Sequence, residues 1–176
     1  MRMSIGTLQT MRCQMVIIAN EEDKWLCAQA IEASNYLETV LYDMVNPTVN
    51  DMFEVLLQAC VFFNTDKLKY NYELDEIRAI GWLTDIKGKT AWVHFSTLKT
   101  ISPTDNIRLV EETLRKMEEV CDLKAIYGLT PKCYRHTLSY IKKVGFNELH
   151  VSPEACYIAR KNKLYDGVVT VRMQGG

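Results

Sequence analysis

The sequence is poor in the features that mark membrane, secreted and nucleic-acid-binding chains. No apolar run approaches the length of a membrane span. The opening residues, MRMSIGTLQTMRC, hold no apolar core of signal-peptide length. Lysine and arginine number 21 against 22 aspartates and glutamates, a formal net charge of −1. That balance excludes a global electrostatic pull toward nucleic acid or a lipid surface, though a local basic patch can still hold an anion. The six cysteines (Cys13, Cys27, Cys60, Cys121, Cys133 and Cys156) include no CxxC pair. They are expected to be reduced and mostly buried, as in a cytoplasmic protein. No repeat, low-complexity tract or Gly/Ser linker divides the chain. One domain over residues 14–173 is expected, with flexible ends at 1–13 and 174–176.

What is present is an ordinary globular composition, 48% hydrophobic and 24% charged. Proline occurs only four times, in Asn46-Pro47, Ser102-Pro103, Thr130-Pro131 and Ser152-Pro153. Each follows a residue that caps helices or forms turns, so each is a candidate helix start. A short strand, QMVIIAN (14–20), precedes an acidic first turn. Leu26, Ala30, Ala33, Leu37, Val40 and Met44 then recur at helical spacing. A second helix is expected over Asp51–Phe63, with Met52, Phe53, Leu56, Leu57 and Cys60 inward. Ile77–Thr84 and Thr90–Leu98, rich in β-branched and aromatic residues, read as a hairpin turning at DIKGK. A third helix runs from Pro103 to about Val120, with Ile107, Val110, Leu114, Met117 and Val120 inward and a charged outer face of Arg108, Glu111, Glu112, Arg115 and Lys116. Its acidic Glu111, Glu112, Glu118 and Glu119 read as surface groups opposing the basic helix that follows or a neighbouring subunit. LKAIYGL reads as a strand. The helix after it begins at Thr130-Pro131, turns Tyr134, Leu138, Ile141 and Val144 inward, and stops at Gly145-Phe146. The tail reads as strands with turns near Ser152-Pro153 and Asp166-Gly167. The expected order is β-α-α-β-β-α-β-α-β-β, an α/β mixed sheet flanked by about four helices.

This order resembles the GNAT superfamily of acyl-CoA-dependent N-acyltransferases. The hairpin and helix of 77–120 are similar to that family's cofactor-binding unit. AIYGLTPKCYRHTLSYIKKVGF resembles its fifth strand and fourth helix, which typically ends in Gly-Phe. The closing strands are similar to its final hairpin. Small divergent GNAT-like proteins are common in tailed-phage genomes, and AWVHFSTL has that character. The resemblance implies acetyl-CoA or another acyl-CoA as cofactor and an amine as acceptor. It implies contacts to the cofactor from Phe95, Ser96, Thr97, Lys99, Thr104 and Asn106, with an oxyanion held by a backbone N–H within Phe95–Leu98.

Two departures stand against that implication. The family's glycine-rich pyrophosphate loop corresponds here to STLKTISPTDNIRL, which has no glycine. Ser102, Pro103 and Asp105 instead make a self-sufficient helix start, and Asp105 sets a negative charge where phosphate would sit. The family's tyrosine acid, four residues before the glycine of Gly-Phe, corresponds to Ile141. Tyr140 is one residue away, rotated by about 100° around the helix, and is expected to point elsewhere. Tyr134 lies on the inner face, lining a site or packing a core.

His94, on one strand face with Trp92 and Ser96, is the candidate general base; a histidine satisfied between sheet and helix is its bland alternative. Candidate catalytic residues are therefore His94, Tyr134 and Tyr140. Tyr70, Tyr72 and Trp82 lie near the expected acceptor entrance, or simply pack. Lys132, Arg135, Lys142 and Lys143 form either a solvated face or an anion contact. Cys133 and His136 supply too few ligands for a metal, and none is expected. Two readings stay open. One is an acyltransferase with a degenerate pyrophosphate loop. The other is a catalytically silent GNAT-fold module that binds a protein partner, in a phage virion or against a host protein. A homo-oligomer is compatible with either.

Overall fold

A computed structural model of the chain describes residues 15–65, 72–98 and 103–175, with side chains from 105 onward in the last segment. Its elements are β1 (Met15–Ile18), α1 (Glu21–Ala33), α2 (Leu37–Val40), α3 (Val49–Leu57), β2 (Cys60–Thr65), β3 (Ile77–Lys87), β4 (Thr90–Thr97), α4 (Pro103–Val120), β5 (Ala125–Pro131), α5 (Arg135–Lys143), β6 (Asn147–Ile158) and β7 (Lys163–Met173). They form a seven-stranded sheet of order β1-β2-β3-β4-β5-β7-β6. Every neighbouring pair is antiparallel except β4–β5, which α4 joins as a parallel crossover. No helix among the described residues is long and apolar enough to cross a membrane.

Alternation along the strands builds two cores, one on each face. Val61, Phe63, Ile80 and Trp82 pack with Cys27, Ile31, Met52 and Leu56 of α1 and α3. Phe62, Leu83 and Ala91 pack with Leu109, Leu114 and Met117 of α4, and with Val144 and Phe146 at the end of α5. A strand buried on both sides reads as an unbroken apolar run, which periodicity cannot tell from a buried helix. For this reason the helix expected over Asp51–Phe63 is in fact α3 followed by β2. Thr48 caps α3 in a reciprocal box with Asp51, so Pro47 lies outside the helix.

The expected first helix is also two. Asn20 and Asp23 cap α1 reciprocally, but Asn35 takes φ 57°, a left-handed conformation that no helix continues through. Of the expected stripe, Ala33 and Met44 end up exposed, while Cys27, Ala28, Ala30 and Ile31 are buried. In α4 the buried face contains Leu109 and Thr113 rather than Val120, which is 42% exposed.

Thr130-Pro131 is no helix start. Both residues belong to β5, opposite Val168 and Gly167. Ser152-Pro153 lies at a break in the β6–β7 register, where Glu154 takes φ 52°. The hairpin turns at Ala159–Lys161 and left-handed Asn162, not at Asp166-Gly167. Gly167 sits inside β7, where a Cβ would lie 2.6 Å from Leu129 Cδ1 and 3.1 Å from Cys156 Sγ. The glycine marks close packing rather than a turn.

The end of α5 matches the sequence reading. The Phe146 N–H donates to the Ile141 carbonyl at 3.1 Å and the Gly145 N–H to the Lys142 carbonyl at 3.3 Å, the paired bonds of a glycine-terminated helix. Gly145 takes φ 88° and Phe146 is buried. Gly145→Ala should therefore destabilise the fold by about 1–2 kcal/mol, read as a lower urea midpoint at unchanged m-value. An unchanged midpoint would show that the turn does not need glycine.

Candidate active site

Parallel pairing between β4 and β5 covers only Thr90–Trp92 against Ala125–Tyr127. Beyond it β4 follows β3 and β5 follows β7, so the strands part. They leave a cleft of about 520 Å³, lined by Val93–Thr97 of β4, Gly128–Pro131 of β5 and side chains from α2, α4 and α5. The Leu98 N–H donates to the Arg78 carbonyl of β3 at 2.8 Å. Strand alternation then directs the N–H groups of Ser96 and His94 to β3 as well. Those of Phe95 and Thr97 face the cleft, where the partner strand has departed.

His94, Phe95, Ser96 and Thr97 all line the cleft, as do Asn106, Tyr134 and Tyr140. Lys99 lies outside the described residues. Thr104 stands in the first turn of α4, its side chain outside them. Val93 and Phe95 turn to the α4 core. His94 turns the opposite way and stacks on Trp82, with ring centroids 5.4 Å apart and planes at 10°. Its Nε2 is 3.3 Å from Thr84 Oγ1. The imidazole reaches solvent through the cleft, yet the surrounding protein penalises its charged form. Desolvation lowers its pKa, opposed by the carboxylates of Asp43 and Asp85. The net effect is a pKa below the ordinary imidazole value, which favours the neutral form.

The two candidate tyrosines differ in a way the sequence did not reveal. Tyr140 does not point away: it lines the cleft beside Ile141. Its hydroxyl donates to the Asn106 carbonyl at 3.0 Å, strapping α5 to the first turn of α4. Burial, with Glu111 nearby, pushes its pKa up to about 12. Tyr134 stands at the cap of α5, edge-on to Tyr42 at 6.4 Å, and its hydroxyl is buried with no hydrogen-bond partner among the described residues. Of the two phenols, only that of Tyr140 has a hydrogen-bond partner among the described residues.

Tyr36 and Tyr42, which flank α2, also line the cleft and were missed in the sequence because the break at Asn35 was missed. Burial raises the Tyr42 pKa, followed by the influence of Cys156; its hydroxyl lies 3.8 Å from Cys156 Sγ. Of the aromatic trio read from the sequence, Tyr70 lies outside the described residues and Tyr72 packs edge-on to Phe63 at 5.0 Å. Of the two described members, Trp82 reaches the cleft and Tyr72 does not. Among the basic residues, Lys132 pairs with Asp166 at 3.5 Å and Lys142 with Glu148 at 3.6 Å.

Glu118 is no surface acid. It is 4% exposed, and its Oε1 accepts from Arg172 Nε at 2.9 Å. The same arginine donates to the Val144 carbonyl at 2.7 Å. That buried pair fixes the C-terminal end of α5 against α4 and β7.

The architecture as a whole matches solved acetyltransferase structures. The ribosomal-protein-S5-alanine acetyltransferase of Vibrio fischeri superposes with a TM-score of 0.69 at 14% identity, covering 92% of this chain and 93% of that one. A GNAT-family acetyltransferase from Streptococcus pneumoniae gives 0.59 at 14% identity, covering 92% and 99%. The chain has the GNAT fold. An N-acetyltransferase from Staphylococcus aureus Mu50 agrees, with a TM-score of 0.67 at 13% identity over 91% and 97%. No protein-family model matches the sequence, and no curated protein is similar to it by sequence. The likeness lies in the fold, at 13–14% identity over 91–92% of this chain.

Proposed function

We propose that the protein transfers an acyl group from acyl-CoA to an amine. The observation that carries this reading is the pairing of an imidazole shifted toward its neutral form, His94, with a phenol unpartnered among the described residues, Tyr134, in the cleft where β4 and β5 part. The cleft suits acyl-CoA in its polar groups: the Trp82 Nε1–H donor, the Asn106 Oδ1 acceptor and the Tyr134 hydroxyl are buried and have no partner among the described residues. Buried polar atoms without partners are rare unless a ligand or water completes them. When bound, acyl-CoA supplies an activated thioester.

His94 takes the proton from the attacking amine, directly or through one water. The Phe95 or Thr97 N–H stabilises the negative charge that builds on the carbonyl oxygen. Tyr134 delivers a proton to the departing thiolate, while Tyr140 keeps the two helices in place. Asn106, Ser96 and the first turn of α4 hold the cofactor arm. Arg135 at the start of α5, with no ion pair among the described residues, is the candidate for a phosphate contact.

A second reading, the silent GNAT-fold module, draws on one observation. Asp105 occupies the first turn of α4, where the helix dipole would otherwise favour a phosphate. Calorimetric titration with acetyl-CoA separates the two. The acyltransferase reading expects saturable binding at micromolar concentration, weakened several-fold by Asn106→Ala. Absence of binding at high micromolar concentration would leave the silent module.

A further inference from the structure

A histidine serves as a proton acceptor only if the correct nitrogen is unprotonated and turned to its substrate. We propose that Thr84 is a positioning residue: its Oγ1 accepts from His94 Nε2–H, which leaves Nδ1, directed into the cleft, as the atom that takes the amine's proton. The proposal rests on the acyl-transfer reading and names its reacting nitrogen and the side chain that selects it.

Three observations carry it. First, the ring is fixed in plane. Trp82 and His94 are direct cross-strand partners in the β3–β4 ladder, and their rings stack at 5.4 Å with planes 10° apart. Trp82 is 2% exposed and belongs to the core beneath α1 and α3, so the surface on which the imidazole rests is rigid. Stacking sets the plane of the ring but not which edge faces which way.

Second, Thr84 sets the edge. Its Oγ1 lies 3.3 Å from Nε2. Thr84 is opposite Trp92, so it stands on the side of His94 where β4 and β5 are still paired. His94, Ser96 and Thr97 line the cleft, and Thr84 does not. The two nitrogens of an imidazole diverge, so with Nε2 turned to the paired end, Nδ1 turns to the opening.

Third, the proton has one fixed place to sit. Neutral imidazole carries a single N–H. On Nε2 it has Thr84 Oγ1 as acceptor; on Nδ1 it would have none among the described residues. An unpaired N–H is the costlier arrangement. The hydroxyl of Thr84, which is half-buried, can accept from Nε2 and still donate to water. In the reaction Nδ1 takes the amine's proton as the C–N bond forms and the C–S bond breaks. Nε2–H stays on Thr84, and Tyr134 protonates the sulfur.

The test is nitrogen-15 NMR of the imidazoles in the full-length protein, beside thiol release from acetyl-CoA. The His94 signals are assigned by their absence in His94→Gln. Above its pKa, His94 should show a protonated Nε2 and an unprotonated Nδ1. Thr84→Val removes the acceptor. A hydrogen bond donated by the charged ring is stronger than one donated by the neutral ring, so its loss should lower the His94 pKa by up to about one unit. Asp43 and Asp85 act on the ring's charge, and Tyr42, Tyr134 and His136 share the cleft; all remain in that variant. A hydroxyl that instead donates to Nε2 stabilises the neutral ring, and its loss would raise the pKa. In Thr84→Val, kcat/KM should fall about five- to ten-fold with KM for acetyl-CoA little changed. Thr84→Ser should restore both readouts. A protonated Nδ1, a pKa that rises or stays put in Thr84→Val, or a Thr84→Ser protein that restores neither readout overturns the proposal. The Nε2–H tautomer without thiol release would uphold the role of Thr84 on the ring and sink the acyl-transfer reading. Thiol release from a protein with Nδ1 protonated would do the reverse.

Discussion

Glutamine in place of His94 is expected to lower kcat/KM for acyl transfer by about 10²- to 10⁴-fold, the usual contribution of a positioned proton acceptor. Glutamine keeps a polar group beside Thr84 and Trp82 but cannot take a proton, so acetyl-CoA affinity should change little. The pH profile gives the same residue a second readout. His94 works as the neutral imidazole, so activity falls as pH drops through its pKa. Desolvation lowers that pKa, and Asp43 and Asp85 partly restore it. The acid limb of kcat/KM should therefore lie below the ordinary imidazole range. It should move lower still when the two aspartates become asparagine, and it should vanish in His94→Gln. A variant that keeps wild-type kcat/KM, or an acid limb above the ordinary value, would remove His94 from the chemistry.

Arg172→Met is expected to lower stability by about 3–5 kcal/mol. The arginine is 6% and Glu118 4% exposed, so the substitution leaves a carboxylate buried without its counter-charge. It also removes the donor to the Val144 carbonyl at the end of α5. The effect arises from the orphaned charge more than from the lost attraction. A protein carrying Arg172→Met with Glu118→Leu should accordingly recover most of the loss. Urea denaturation of the three proteins decides this, and a single-variant loss below about 1 kcal/mol would contradict a desolvated pair.

These two residues illustrate how unevenly the sequence discloses the molecule. The β3–β4 hairpin, the span of α4 and the stop at Gly145-Phe146 were legible because each rests on local chemistry: β-branched pairs, a proline at N1, a residue at positive φ. His94 and Tyr134 could be nominated because alternation and helical spacing fix their faces. Non-local facts were invisible. Glu118 reads as a surface acid until β7 brings Arg172 beside it, and Gly167 reads as a turn until Leu129 and Cys156 crowd it. Only a described hydrogen bond separates Tyr140, engaged with Asn106, from Tyr134. β2 was hidden because CVFFNT is buried on both faces, and losing α2 meant losing Tyr36 and Tyr42 from the candidate list.

The short ladder of Thr90–Trp92 against Ala125–Tyr127 has a mechanical meaning. It divides the sheet into two antiparallel blocks, β1 to β4 and β5 to β7, stitched by a seam three residues long. Near the cleft the blocks are braced further by the Ala159 N–H, which donates to the Tyr42 carbonyl at 2.8 Å, and by two side-chain clasps, the Tyr140 strap to α4 and the Glu118–Arg172 pair. Such a molecule resembles a book whose spine is brief and whose clasps lie on the cover. Loosening either clasp should widen the opening between the pages before it melts either half, so mutations remote from His94 can blur the site while each block keeps its own pairing.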